Sequence, residues 1–196
     1  GVLREKTWQE FLDTSLALGS CPPLRGDNVV IITNGGGAGL LAADHFERLG
    51  MPLKELKDIS PDLRENIRNY MPAFGSPLNP VDISGTATSD MYGGALKTAY
   101  RDEHVDGIMI SVCPTAVTDV EAITETVINI HRQYKNLGKP FIMECQGGNE
   151  CREAIMKLRD KGIPAYSTPE QAVNALVALR RYSHIMNKKE KLINNI

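Results

Sequence analysis

The sequence has no surplus of basic residues: 22 Lys and Arg stand against 24 Asp and Glu, for a formal net charge of −2. Nucleic acid and anionic membranes are held by a cationic excess, so neither partner is expected. No apolar run exceeds strand length, so no bilayer span is expected. No basic start leads into an apolar stretch, so no secretory signal is visible. Cysteine is scarce. Cys21, Cys113, Cys145 and Cys151 form no CxxC pair and no Cys/His cluster at zinc spacing, so no metal set is predicted. Reduced thiols in a cytoplasmic protein are the expectation. Cys113, followed by Pro114, is a nucleophile by residue type only, with no base placed beside it.

What is present is 42% hydrophobic residues over 196 positions, enough for one domain with a substantial core. The most informative run is Asn28 to Asp44, reading as a buried strand, a loop of small residues and a helix. Gly35, Gly36, Gly37 and Gly39 remove side chains where a ligand could touch backbone. The helix that follows offers free N–H groups and its positive dipole end, which suits a phosphate. A tight turn with no ligand is the plainer alternative. The loop lacks the Lys-Ser/Thr pair of a P-loop and misses G-x-G-x-x-G, because Leu40 stands where the last glycine would be. FMN remains an alternative on fold grounds, although only Thr33 and Asn34 offer polar side chains there.

Along the chain, Thr7 and Glu10 form a capping box before a helix with Trp8, Phe11, Leu12 and Leu16 on one face. Residues 1–26 read as a helix and linker continuing from an upstream domain, the sequence opening at Gly1 without methionine. Residues 27–183 read as one domain and 184–196 as a polar, solvated tail. Strands are predicted at Val29–Thr33, Leu53–Leu56 (a weak edge), Val105–Val112, Phe141–Cys145 and Ile163–Tyr166. Helices between them are predicted to start at Ala38, Ser60-Pro61, Asp90, the box Thr118–Glu121, the turn Gln146–Asn149 and the box Thr168–Gln171, the last reaching Tyr182. Such alternation implies an α/β fold, a flavodoxin-like parallel sheet of order 2-1-3-4-5 covered by helices on both faces. Ligands then sit beyond the carboxyl ends of the strands, where the loops Asn34–Gly39, Cys113–Thr118 and Gln146–Asn149 emerge.

The run Val30 to Gly39, followed by Ala42-Ala43-Asp44, resembles a signature of the NDP-forming acyl-CoA synthetases, which include ADP-forming acetyl-CoA synthetases and relatives of succinyl-CoA synthetase. Asn79-Pro80-Val81-Asp82, the stretch Asp106-Gly107-Ile108 to Thr118-Asp119, and Gly162-Ile163-Pro164 with Thr168-Pro169-Glu170 are similar to further family motifs in the same order. The match resembles the family's second flavodoxin-like ligase domain, the counterpart of the carboxy-terminal domain of the succinyl-CoA synthetase beta subunit. The resemblance implies a parent enzyme that converts acyl-CoA, phosphate and ADP to acid, CoA and ATP through an acyl phosphate and a phosphohistidine, using Mg2+ with the nucleotide. It implies as partners CoA-binding and phosphohistidine domains and an ATP-grasp domain. The helix after the glycine loop is then one of two whose amino ends face the phosphohistidine.

The phosphorylated histidine is expected outside this sequence, and His45, His104, His131 and His184 are not placed to replace it. The isolated chain is therefore expected to be inactive, with no catalytic residue of its own. Candidate phosphate-binding residues are Asn34, Gly35, Gly36, Gly37, Ala38 and Gly39. Asn34 is either an amide donor to the anion or a turn former. Asp82 is a candidate to steer the phosphohistidine loop or a metal ion, or simply to bond its own loop. Cys113, Pro114 and Thr115 would shape a second wall, and Gly147, Gly148 and Asn149 a third. Two further readings stay open, a flavodoxin-like phosphate, FMN or regulatory module, and a domain of a protein lysine acetyltransferase of the same architecture.

Overall fold

The computed structural model describes residues 2–193, with side chains to Lys189. Helix α1 (Trp8–Ser20) leads to β1 (Val29–Thr33), α2 (Gly36–Arg48), the short α3 (Leu56–Ile59) and α4 (Leu63–Arg68), and β2 (Val81–Asp82). Then come α5 (Ser89–Arg101), β3 (Gly107–Val112), α6 (Val120–Tyr134), β4 (Phe141–Cys145), α7 (Asn149–Asp160), β5 (Ala165–Tyr166) and α8 (Pro169–Ile193). The five strands form one parallel sheet of order β2-β1-β3-β4-β5, the order predicted. Strands β1, β3 and β4 are buried throughout, as a sheet covered on both faces requires.

The period-2 alternation of each strand sends its side chains into two separate cores. Val30, Ile32, Ile108, Ile110, Phe141 and Met143 meet α5, α6 and α7. Ile31, Met109, Ile142 and Tyr166 meet α1, α2 and α8 through Ala17, Phe46, Val173 and Leu176. Helix α1 is docked on α8, and the Tyr166 hydroxyl donates to the Asp13 carbonyl at 2.8 Å. The Thr7–Glu10 capping box forms as predicted. However, Trp8, Phe11 and Leu12 point outward, and Asp13, Thr14 and Ala17 are the buried positions of α1. No helix among the described residues is long and apolar enough to cross a membrane.

Several predicted elements move. Leu53–Leu56 is not a strand, and the edge is instead Val81–Asp82, paired parallel to β1 through Ile32↔Val81 and Thr33↔Asp82. With only two residues in β2, the outer edge of β1 needs other partners. The Asn79 carboxamide supplies them, accepting from Ile31 N–H at 3.1 Å and donating to Val29 C=O at 2.7 Å. It also donates to Lys54 C=O, which ties down the segment read as a strand. Ser60 closes α3 and caps nothing. Asp119, not Thr118, caps α6. Helix α8 runs on to Ile193, so the predicted tail is helical as far as that residue, and 194–196 lie outside the described residues. Cys145 and Cys151 are paired as a disulfide, against the expectation of four reduced thiols. The reason is placement, since β4 ends where the first turn of α7 doubles back over it.

Replacing Asn79 by Ala leaves an N–H and a C=O of β1 without partners. The expected loss is about 2 kcal/mol in urea unfolding with an unchanged m-value.

Candidate anion-binding site at the carboxyl edge

The loops after β1, β3 and β4 meet at one edge of the sheet. Asn34 stitches the first two together. Its Oδ1 accepts from Cys113 N–H at 2.8 Å, and its Nδ2 donates to Cys113 C=O at 2.9 Å, so the side chain mimics a paired strand residue. The buried Tyr92 hydroxyl sits between Asn34 Oδ1 (3.0 Å) and Ser111 C=O (2.9 Å). Asn34 thus bridges the two loops, with its polar atoms engaged within the protein, an arrangement outside both readings of the sequence.

The glycines divide by what surrounds them. A Cβ on Gly35 would lie 2.6 Å from Cys113 Sγ and 2.9 Å from its Cβ. One on Gly36 would lie 2.7 Å from Asp82 Oδ2, and one on Gly39 3.0 Å from Pro80 and 3.1 Å from Thr33 Cγ2. These three let the first turn of α2 sit hard against the sheet. Gly37 faces open space and is exposed. Gly35 N–H is held by Thr33 Oγ1 at 3.0 Å, and Gly39 N–H makes the first helical bond, to Gly35 C=O. The N–H groups of Gly36, Gly37 and Ala38 have no partner among the described residues. Helices α1, α5, α6 and α8 carry side-chain caps from Thr7, Thr88, Asp119 and Thr168. Helices α2 and α7 start from Gly35 and Gly148 with no side-chain cap, and both open at this edge.

The remaining candidates frame that edge. Asp82 Oδ1 accepts from Ser84 N–H at 2.8 Å, so part of its carboxylate serves its own loop, while Oδ2 looks toward Gly36. A cavity of about 290 Å³ opens beside it, lined by Thr33, Gly36, Leu40 and Pro80. The Thr115 hydroxyl donates to Gly85 C=O at 2.9 Å, and Pro114 lies over Gly147. Asn149 opens α7 and bonds Arg152. The Cys113 thiol accepts from Gln146 Nε2, and burial raises its proton affinity, the wrong direction for a nucleophile. No three His, Cys, Asp or Glu side chains group as a metal site among the described residues. A larger cavity of about 480 Å³ lies elsewhere, lined by Arg132, Lys135, Lys139 and Lys161. Lys135 and Lys161 there answer the carbonyl ends of α6 and α7.

One residue escaped the reading of the sequence. In register across the sheet lie Asp82, Thr33, Ser111, Glu144 and Tyr166, all on the face of α2 and α8. Glu144 is fully buried and neither carboxylate oxygen has a hydrogen-bond partner. Burial raises its carboxyl from the ordinary 4.5 to about 7, opposed by the Ser111 hydroxyl and assisted by Glu170. A charge inside the apolar run Phe141-Ile142-Met143-Glu144-Cys145 was the signal that could have marked it.

Two outcomes test this geometry. Gly35→Ala is expected to lose about 1–3 kcal/mol by overpacking against Cys113, whereas Gly37→Ala gains about 0.5–1 kcal/mol of helix stability; thermal unfolding reads both. Glu144 keeps its proton in the folded chain where the unfolded chain has lost it, so its contribution is intact below the unfolded value. It is lost as pH rises from 4.5 to about 7. Between those limits the wild type is expected to lose up to about 3 kcal/mol relative to Glu144→Gln, measured by denaturant unfolding at a series of pH values.

Known proteins resemble this chain over most of its length. A family model described as the Ligase-CoA domain matches residues 29–188. The alpha subunit of acetate–CoA ligase [ADP-forming] I from Pyrococcus furiosus is 43% identical over 97% of this chain and 40% of its own length. The GDP-forming succinate–CoA ligase subunit beta of Thermus thermophilus is 28% identical over 78% of this chain and 33% of its own. The dinucleotide-forming acetyl-coenzyme A synthetase 1 of Ca. Korarchaeum cryptofilum, solved in complex with phosphate and ADP, superposes with a TM-score of 0.86 at 32% identity. That match covers 94% of this chain and 39% of that one. The chain thus spans well under half the length of these relatives. It belongs to the Ligase-CoA domain family.

Proposed function

We propose that this chain serves as the domain of an ADP-forming acyl-CoA synthetase that holds the transferring phosphoryl group at the amino end of α2. The observation that carries the reading is the first turn of α2: three N–H groups without partners, a glycine N-cap, and glycines that bring the turn against the sheet. Such a cradle needs no side-chain cation. Fixed amides and the helix dipole favour a dianion and require no reorganisation when charge arrives. The Korarchaeum relative carries phosphate and ADP in its solved complex, which supports the ligand class. The acyl-CoA chemistry, the phosphohistidine and the nucleotide belong to the parent assembly, and this chain contributes binding and orientation. Leu40 and Val117, large apolar side chains exposed near the cradle, suit the docking of the partner domains.

Inorganic phosphate is expected to protect the chain against thermal unfolding in proportion to its concentration, by about 1.4 kcal/mol at ten times its dissociation constant. Gly37→Asp places a carboxylate over the same amides. It is expected to raise the melting temperature without phosphate and to abolish the phosphate-dependent increment, as followed by circular dichroism.

A further inference from the structure

We propose that Glu144 couples the α2 cradle to a proton: the cradle accepts its dianion when the Glu144 carboxyl is neutral and resists it when Glu144 is ionised. The inference rests on the cradle reading above and adds how that site is regulated. Its basis is a file of polar groups buried in the sheet under α2 and α8. Glu144 stands beside Ser111 in register, and Ser111 stands beside Thr33. Thr33 Oγ1 lies 3.3 Å from Ser111 Oγ and 3.2 Å from Gly35 C=O, and it accepts the Gly35 N–H at 3.0 Å. The Thr33 hydroxyl has one hydrogen and two acceptors, so it serves one of them at a time.

The state of Glu144 decides which. An ionised carboxylate can only accept, and with neither oxygen otherwise paired it draws the Ser111 hydroxyl toward itself. Ser111 Oγ then accepts from Thr33, and Gly35 C=O loses that donor. A neutral carboxyl donates instead; the Ser111 hydroxyl can turn to Thr33, and Thr33 donates to Gly35 C=O, which bounds the first turn of α2. Charge acts in the same direction as this relay. Glu144 lies two strands from Thr33, about 10 Å across the sheet, and both are buried with Ser111 between them, where a charge is weakly screened. A negative charge there opposes an anion on the N–H groups of Gly36 to Ala38.

Few other charges face this group. Glu170 in the first turn of α8 is half-buried and adds negative potential. Helix α2 brings no acidic residue in its first turn, β3 brings Ser111, and β5 brings the neutral Tyr166. Asp82 closes the far end of the row, the Cys113 thiol lies on the same face in contact with Ser111, and the Tyr92 hydroxyl comes from the opposite face, both close enough to sense the Glu144 charge. Among these, burial displaces Glu144 into the neutral range, so it is the carboxyl that changes state there.

The test is calorimetric titration of the 196-residue chain with sulfate, which keeps both charges from about pH 5.5 to about 8.5, in buffers of different ionisation enthalpy. The expected result is uptake of up to about half a proton per sulfate bound, greatest just above pH 7, with affinity falling roughly tenfold across the range. Glu144→Gln, similar in shape and always neutral, is expected to bind at the low-pH affinity throughout with no proton uptake. Ser111→Ala is expected to weaken the pH dependence, and Glu170→Gln to leave it in place. Proton uptake on the wild type needs no variant and so survives any folding defect. Sulfate binding with no proton uptake, or with the same pH dependence in Glu144→Gln, overturns the inference and leaves the cradle standing. No sulfate binding at any pH, in wild type or Glu144→Gln, overturns the cradle and the inference together.

Discussion

The close approach of the first turn of α2 to the end of the sheet constrains everything around it. Cys113 stands where a Gly35 Cβ would be, Asp82 where one on Gly36 would be, and Pro80 and Thr33 press on Gly39. Glycine at these positions removes the obstacle. The helix axis can then point its free N–H groups out over the strand ends, beside the loops after β3 and β4. The same approach leaves no room for a capping side chain, so Thr33 serves Gly35 and the next three amides stay open. The proposed anion site follows from a packing requirement.

Two asparagines make that packing possible by standing in for missing strand. Asn79 pairs the outer edge of β1, where β2 is only two residues long. Asn34 pairs the end of β1 with Cys113 after the ladder has stopped. Each uses a carboxamide as a peptide group, a donor and an acceptor on one rigid plane. Together they hold β1 at both sides, and β1 carries the glycine loop. A buried carboxyl two strands away then shares the same low-dielectric layer, which is why its charge state and the loop's hydrogen bonds are not independent.

Where the signal was local, the sequence could be read. The limits of β1 and β4 are those of the apolar runs Val29–Thr33 and Phe141–Cys145. The Thr7–Glu10 box caps α1, and Gly50 and Gly162 close helices with positive φ. Misreadings arose where two local options were equal in strength and a distant residue chose between them. Leu53–Leu56 and Val81–Asp82 are both short and interrupted by charged residues, and Asn79, reaching back to β1 and across to Lys54, holds the first away from the sheet edge. Trp8, Phe11 and Leu12 share one face of α1 yet stay exposed, because periodicity reports amphipathicity but not which surface a neighbour covers.

By itself the sequence determined the alternation of strands and helices, hence the parallel order, and the glycine turn that leads from β1 into α2, because these depend on side-chain period and backbone freedom within a few residues. Only the tertiary structure decided the duties of the polar residues. It engaged Asn34 within the fold, spent part of Asp82 on Ser84, paired Cys145 with Cys151, and placed Glu144 without a partner two strands from the glycine loop. The physical reason is that a polar group's role is set by what lies within about 3 Å of it, and in a parallel sheet those neighbours come from strands far away in the chain.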